Sequence, residues 1–496
     1  MNTNELDPTE SNASLDYNDF QEIIPALDFI NEHAYVAIPK RDVTDKGMVT
    51  SYQLIRSDGK AIGLKPPYTE LMALKLYSER MPAPEARWSN TSLQEFLSTH
   101  GESSYQDISK VIADLVAILK KYIDFEDDRL IYLISCWTIA TYFHRVFVAF
   151  PYLHLNGNAG SGKTKTLIIL SLLAFNAELS ASNTPAYTIR IIHSNSATLL
   201  LDEVETLKRP KDEDVKTIVA ILNSGYKKGA RVGKAEQIGK SQLWTPKKYD
   251  AYSPKVFAGI QGLDATLASR CIPITMVNSS NNTIKNVEVY EQDAHWPKLR
   301  DACYWLLMKE HKAVRRHYSQ LSDTELVGRE WELWKPLLTI AQLADESVYQ
   351  QVRSLALEIH QQKQEATIED METPKILMAL EALLQTKFGD SCCSLQEIVD
   401  FVVEYDHEHF GWLKEPYKQL RPTRWMGQQL RRAGVVSGTS RPIRMGGKVA
   451  RGFDLKLQVI QQRLKNYAAD GYMVTDDENT PPVSTNVSVT EPVTPD

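Results

Sequence analysis

The sequence predicts a mixed α/β chain centred on a parallel sheet covered by helices. Two observations predict it. Short apolar runs at residues 152–155, 197–201 and 255–259 alternate with helical patterns, as happens when parallel strands are joined by helical crossovers. A glycine-rich loop of residues 157–164 also lies between the first of those runs and an apolar helical stretch over residues 163–175.

Around this centre the organisation follows from composition. A length of 496 residues points to two or three domains, and 43% apolar with 24% charged residues is ordinary for a soluble globular chain. Residues 1–21 are polar and acidic and are expected to be disordered. Residues 22–126 form an N-terminal mixed, mainly helical region, with a strand-like run at 34–38, a possible hairpin around Ser57–Lys60 and helical patterns from about Thr69. The α/β core spans 127–285 and is followed by a helical stretch over 286–390, expected to form a lid. Residues 391–467 alternate short helices and strands, and 468–496 are a disordered acidic tail rich in Pro, Thr, Val and Ser.

The formal net charge of −7 hides an uneven distribution. Residues 1–39 hold eight acids and no Lys or Arg, and six more acids follow Lys465 without a basic residue, so the part between them is net +7. Residues 411–456 alone carry eleven Lys or Arg against two acids. A basic body between acidic ends suits a polyanionic partner. The five cysteines show neither a CxxC pair nor Cys/His metal spacing, which fits a reducing, cytoplasmic setting. The most apolar run, 130–143, is shorter than the ~20 residues needed to span a bilayer and is closed by His144 and Arg145, so it reads as a buried helix and no membrane association is expected.

The loop residues Gly157, Asn158, Ala159, Gly160, Ser161, Gly162, Lys163 and Thr164, followed by Lys165, have the pattern of a triphosphate cradle. Glycines let successive backbone N–H groups curl around phosphate oxygens, and the helix beginning there adds its positive end. Lys163 would reach the β and γ phosphates, and the Thr164 hydroxyl would bind Mg²⁺. The apolar run 198–201 then ends in Asp202 and Glu203. A buried strand would carry Asp202 to the loop as a second magnesium group, with Glu203 placed to polarise an attacking water. ATP and Mg²⁺ are therefore the expected cofactors.

Further segments carry a family resemblance. Residues 265–274 resemble the Ser-Arg-Cys segment of clamp-loader AAA+ subunits, which implies Arg270 as an arginine finger acting on a neighbouring copy. Gln261 stands where AAA+ proteins keep a polar sensor of the γ-phosphate, although many use Asn there. Over about 127–453 the chain resembles the helicase-like AAA+ ATPase domain attached to, or encoded beside, primases of plasmids, prophages and integrative elements. The markers are Thr141-Tyr142 ahead of Pro151-Tyr152-Leu153, the two nucleotide motifs, and the segments 222–230, 252–259, 267–270 and 329–337. Ser269 departs from the Asp common in that family; the arginine after it stays.

Two basic places are candidates for DNA. The first comprises Lys227, Lys228, Arg231 and Lys234, in a Gly-punctuated segment that ring ATPases would turn toward a central pore. The second holds Arg421, Arg424, Arg431, Arg432, Arg441 and Arg444 among helices and a Gly446-Gly447 turn, an order that reads as a winged-helix-like basic domain. The fold class expected is thus an α/β P-loop, AAA+-like ATPase core with a helical lid, an N-terminal mostly helical region and a C-terminal winged-helix-like domain. The expected function is an ATP-hydrolysing DNA helicase or translocase serving mobile-element replication, as a homo-oligomer that forms a ring. With no primase carboxylate cluster or zinc ribbon in the sequence, a primase would be a separate partner. An ATP-dependent DNA-binding loader or switch, or an ATPase regulator acting on proteins, is the alternative.

Overall fold

In the computed structural model the described residues are 19–44, 47–80, 87–180, 183–208, 213–237, 244–260, 262–370, 372–414, 422–436, 440–445 and 448–469. The first folded segment is a sheet. Strands β1 (Asp28–Ile30), β2 (His33–Thr44), β3 (Gly47–Arg56) and β4 (Ala61–Gly63) pair antiparallel in sequence order. Alternation along β2 explains it. Ala34, Val36 and Ile38 enter the main core on one face, while Tyr35 joins Ile30, Leu54 and Ile62 in a smaller core on the other. The hairpin anticipated at residues 57–60 joins β3 to β4. Its Gly59 has φ +77°, and a Cβ there would lie 2.4 Å from the His100 backbone, so only glycine fits. Helices α1 (Asn90–Ser98) and α2 (Ile108–Tyr122) follow. This region is therefore sheet first and helix second, because both faces of the long β2 find apolar cover.

Helix α3 (Arg129–Tyr142) is buried on every side, packed against α2 and a later helix over Gly328–Ala344. Its polar groups are satisfied internally: Ser135 and Thr138 donate to the Ile131 and Ile134 carbonyls, each at 2.8 Å. Among the described residues no helix is long and apolar enough to cross a membrane.

The central sheet comprises β5 (Tyr152–Asn156), β6 (Ala177–Ser180), β7 (Thr198–Leu201), β10 (Lys255–Gly259) and β11 (Cys271–Thr275), with α4 (Lys163–Leu173), α5 (Pro185–Asn195) and α6 (Glu213–Ser224) among the crossovers. Its order is β11-β5-β10-β7-β6, and every pairing is parallel. The loops after these strands consequently gather along one edge, where ligands bind in open α/β sheets. A hairpin, β8 (Arg231–Gln237) with β9 (Trp244–Asp250), is inserted between α6 and β10.

Helices α7 (His295–Gln320) and α8 (Gly328–Ala344) share the main core through Trp296, Tyr304 and Trp334. The chain divides at Ile359/His360, inside the stretch read from sequence as one helical lid. The last helix of that stretch, α9 (Glu372–Thr386), belongs to the second unit, where Ile376, Leu377 and Leu380 pack with Ile398, Val402 and Phe453. There β12 (Ser391–Ser394), α10 (Leu395–Tyr405), α11 (Pro422–Arg432), β13 (Arg441–Met445), β14 (Lys448–Leu455) and α12 (Leu457–Ala469) follow, the strands forming an antiparallel sheet of order β12-β14-β13.

One buried cation fixes the base of the β8–β9 insertion. Lys255 is fully buried, its ammonium within hydrogen-bonding distance of the Gly225 (3.4 Å), Ala251 (3.2 Å) and Ser253 (3.0 Å) carbonyls and of Ser253 Oγ (3.2 Å), above the Tyr152 ring. Gly225 and Ala251 flank the insertion, so a single side chain holds both of its ends to β10. Burial pushes the Lys255 pKa down to about 7. The unfolded chain then binds the extra proton between pH 7 and the ordinary lysine value of 10.5, so the folded state gains stability as pH rises through that window. Urea unfolding of the full chain is expected to show wild type gaining on Lys255→Met from pH 7 to 10, with the difference flat below 7; a pH-independent difference would refute the assignment.

Candidate nucleotide site and basic surfaces

The loop after β5 is shaped by close contacts that only glycine permits. At Gly157 a Cβ would lie 2.2 Å from the Met276 carbonyl oxygen, just beyond β11, and 2.7 Å from Ser161 Oγ. Gly160 and Gly162 have φ of +80° and +90°, the left-handed region, and Gly162 immediately precedes α4. The loop therefore delivers Lys163 and Thr164 into the first turn of a helix, where unpaired N–H groups face an incoming anion. The Lys163 ammonium lies over the loop, donating to the Gly157 (2.7 Å) and Asn158 (2.9 Å) carbonyls. The buried Ser161 hydroxyl has no hydrogen-bond partner among the described residues, and Lys165 donates to the Ile284 (3.1 Å) and Lys285 (3.2 Å) carbonyls.

Across the sheet edge, Thr164 Oγ1 donates to Asp202 Oδ2 at 2.9 Å. A hydroxyl from α4 and a carboxylate from the end of β7 thus meet although 38 residues separate them. This oxygen pair suits a hard divalent cation such as Mg²⁺, which keeps phosphate and water as its remaining ligands. Among the described residues there is no group of three or more His, Cys, Asp or Glu that could hold a metal ion.

Glu203 is exposed and sits at φ +53°, a conformation that is strained for a side chain of this size. Its N–H donates to Asp202 Oδ1 at 2.9 Å, so the acid pair turns sharply out of the strand. Sequence reasoning missed Glu205. Its carboxylate accepts from the Ile260 N–H at the end of β10, and a Cβ at Gly259 would come within 2.8 Å of Val204 and 2.9 Å of Glu205. The turn after β7 and the end of β10 are clamped together. Gln261, the next residue but one, lies outside the described residues, as do Arg421, Gly446 and Gly447.

Arg270 lies at the other end of the sheet. Its carbonyl accepts from the Tyr152 N–H at 3.1 Å, level with the start of β5, whereas the phosphate loop begins at the end of β5, about 13 Å along the strand. Its guanidinium lies over the Tyr226 ring and bonds the Thr266 carbonyl, and Arg329 donates to the neighbouring Ser269 at 2.6 Å. Arg270 is not brought to this chain's own Lys163.

The basic candidates divide by what holds them. Lys227 pairs with Glu332 at 2.6 Å, and Lys228 donates to the Arg145 carbonyl at 2.7 Å, its pKa lowered by burial, so both ammonium groups are engaged within the unit. Arg231 and Lys234 are exposed on β8. The register adds two residues that sequence reasoning did not single out, Lys247 and Lys248 on β9. Lys234 stands directly opposite Lys247, and Lys248 opposite Gly233. The dipeptide was visible, but only strand pairing shows that it doubles the charge of β8. In the second unit, Arg424, Gln428 and Arg431 form an exposed stripe on α11 with Arg432 beside it, while Trp425, Met426 and Leu430 face inward. Arg444 is described by its backbone, which pairs with Val449 in the β13–β14 hairpin.

No family model and no curated protein matches this chain. Similar solved structures include the NrS-1 C-terminal region, with 11% identity and a TM-score of 0.34 over 82% of this chain and 94% of that one. Others are the JCV helicase (10%, TM-score 0.23, 55% and 66% covered) and an MCM homologue from Methanopyrus kandleri (10%, 0.32, 66% and 76%). Likeness at this level adds nothing to the geometry.

The strain at Glu203 has a measurable consequence. Glu203→Gly is expected to raise the unfolding free energy by about 1 kcal/mol, because glycine adopts positive φ without steric cost. If Glu203 polarises an attacking water, the same variant is expected to lower nucleotide turnover by a factor of about 100 or more. Unchanged turnover in a stabilised variant would remove Glu203 from the chemistry.

Proposed function

We propose that this protein is an ATP-hydrolysing DNA motor, a helicase or translocase with an AAA+-like core, acting in mobile-element replication with a primase as a separate partner. The observation that carries the reading is the Thr164–Asp202 contact at the C-terminal edge of a parallel sheet, beside a glycine loop that presents Lys163. The loop N–H groups and the α4 N-terminus hold the phosphates, and Lys163 exchanges its loop carbonyls for the β and γ oxygens. Thr164 and Asp202 would hold Mg²⁺, which supplies Lewis-acid stabilisation of the transferring phosphoryl group. Glu203 orients and polarises the attacking water. Arg270, remote from its own loop, would neutralise charge developing at the site of an adjoining copy, which implies a ring or other closed homo-oligomer.

The β8–β9 hairpin supports the DNA part of this reading. Two lysines directly opposite each other repel, a cost of a few tenths of a kcal/mol that a polyanion relieves. Arg231 and Lys248 add charge to the same ribbon. The second unit has the helix-and-hairpin order of a winged helix, with α11 presenting Arg424 and Arg431 as a helix facing a duplex would.

The decisive measurement is ATP hydrolysis by the full chain with and without single-stranded DNA, using Lys163→Ala as the blank. DNA is expected to stimulate turnover, the stimulation is expected to fall with added salt, and Lys234→Ala/Lys247→Ala is expected to weaken it about tenfold without changing DNA-free turnover. Lys163-dependent hydrolysis that ignores DNA would retain the nucleotide site and replace the motor with a regulator acting on proteins.

A further inference from the structure

Resting on the nucleotide reading above, we infer that Glu205 is a positioning residue for hydrolysis. Its carboxylate ties the acid turn after β7 to the peptide that meets the phosphate loop, and so sets where Glu203 stands relative to the nucleotide. Both sides of one peptide bond, and the strained residue beside it, carry this.

The pairing of β7 with β10 ends at Leu201 and Phe257, while β10 runs on to Gly259, still paired with Asn156 of β5. Past the end of β7, what meets the Ile260 N–H is the Glu205 carboxylate, a side chain standing where a strand carbonyl would otherwise be. In a trans peptide the carbonyl points opposite to the N–H. The carbonyl of this peptide, that of Gly259, faces the Gly157 N–H at 3.4 Å, at the start of the phosphate loop. One peptide plane therefore joins the loop on one side to Glu205 on the other. Glycine at 259 permits the approach, since a Cβ there would lie 2.9 Å from Glu205 Oε1.

The backbone between the acids supplies the second argument. Glu203 holds φ +53°, which a residue of this kind keeps only where its surroundings impose it. Asp202 is anchored on one side of it, accepting from Thr164 Oγ1 at 2.9 Å, and Glu205 is anchored on the other, at the end of β10. Val204 between them is buried. The acid turn is thus fixed at two points, to the helix that follows the phosphate loop and to the peptide that meets its first glycine. Releasing the second point leaves Glu203 held through Asp202 alone. A misplacement of about 1 Å in a group that orients a reactant costs on the order of 100-fold in rate.

The experiment measures steady-state ATP hydrolysis by the full chain, with kcat referred to nucleotide sites titrated with a fluorescent ADP analogue and Lys163→Ala as the blank. Glu205→Gln keeps the reach and an acceptor oxygen but loses the charge. Glu205→Asp keeps the charge but withdraws the oxygens by about 1.5 Å, one carbon–carbon bond. Glu205→Gln is expected to stay within about threefold of the wild-type kcat, because its carbonyl oxygen can accept the Ile260 N–H. Glu205→Asp is expected to lose about tenfold or more in kcat with KM for ATP within about twofold, since Glu205 meets backbone and not nucleotide. A larger fall in Glu205→Gln, a wild-type kcat in Glu205→Asp, or a change confined to KM overturns the assignment. Wild-type hydrolysis that persists in Lys163→Ala overturns the nucleotide reading itself, and the two failures are read from different variants.

Discussion

The candidate site depends on backbone segments approaching more closely than any side chain allows. Gly157 sits against the Met276 carbonyl at the end of β11, and its N–H points to the Gly259 carbonyl at the end of β10 at 3.4 Å. Gly259 in turn sits against Val204 and Glu205, just after β7. Two glycines thus draw the ends of four strands into one edge. A methyl group at either would push the phosphate loop away from the carboxylates it must meet, and the Thr164–Asp202 contact at 2.9 Å has no slack to absorb such a shift. The Thr164–Asp202 pair and the acid turn at Glu203 both hang from this edge.

The same sheet anchors the surfaces that would meet a partner. At the opposite end of β10 the Lys255 ammonium gathers carbonyls from both flanks of the β8–β9 insertion, and Asp250, the last residue of β9, is held by Arg80 at 3.3 Å and Arg145 at 3.2 Å. The two arginines hold its carboxyl below the ordinary aspartate range against the cost of burial. The hairpin is therefore fixed at its root, where β9 also packs on α5 and β8 on α6. Its root shares β10 with the Gly259–Glu205 clamp, which sits at the other end of that strand.

How much of this the sequence shows depends on the range of the interaction. The glycine loop, the strand before it and the helix after it are legible because each is dictated by residues within ten positions: backbone that only glycine can adopt, an apolar run, and a helix start. The hairpin at residues 57–60 is legible for the same reason. Partners set by long-range pairing are not. Lys247 becomes the neighbour of Lys234 only through strand register, and Lys227 and Lys228, exposed in sequence and structure alike, gain Glu332 and the Arg145 carbonyl as partners only through the fold. Lys255 is the sharpest case. A lysine before a strand reads as surface, yet it is fully buried, because the carbonyls that solvate it come from residues on either side of an insertion of some two dozen residues. The extent of the N-terminal sheet and the Ile359/His360 division escape sequence for a related reason: apolar periodicity shows that a face is covered, not by what.

Under the proposed function, the position of Arg270 leaves its own chain's phosphate loop without that cation. Phosphoryl transfer needs cationic charge at the γ-phosphate beyond Lys163, yet the chain's own Arg270 sits level with the start of β5, behind the sheet edge that carries the loop. Lengthening a loop could not bring it round, since its backbone is committed to Tyr152 and its guanidinium lies over Tyr226. Arg329, Ser269, Lys227 and Glu332 crowd the same end, a polar, charged surface on an otherwise apolar sheet. A second copy docked there would receive Arg270 at its own loop, and its arginine would serve the next. Under the proposed function the separation of the two ends by one strand length is what makes hydrolysis a property of the assembly rather than of the monomer.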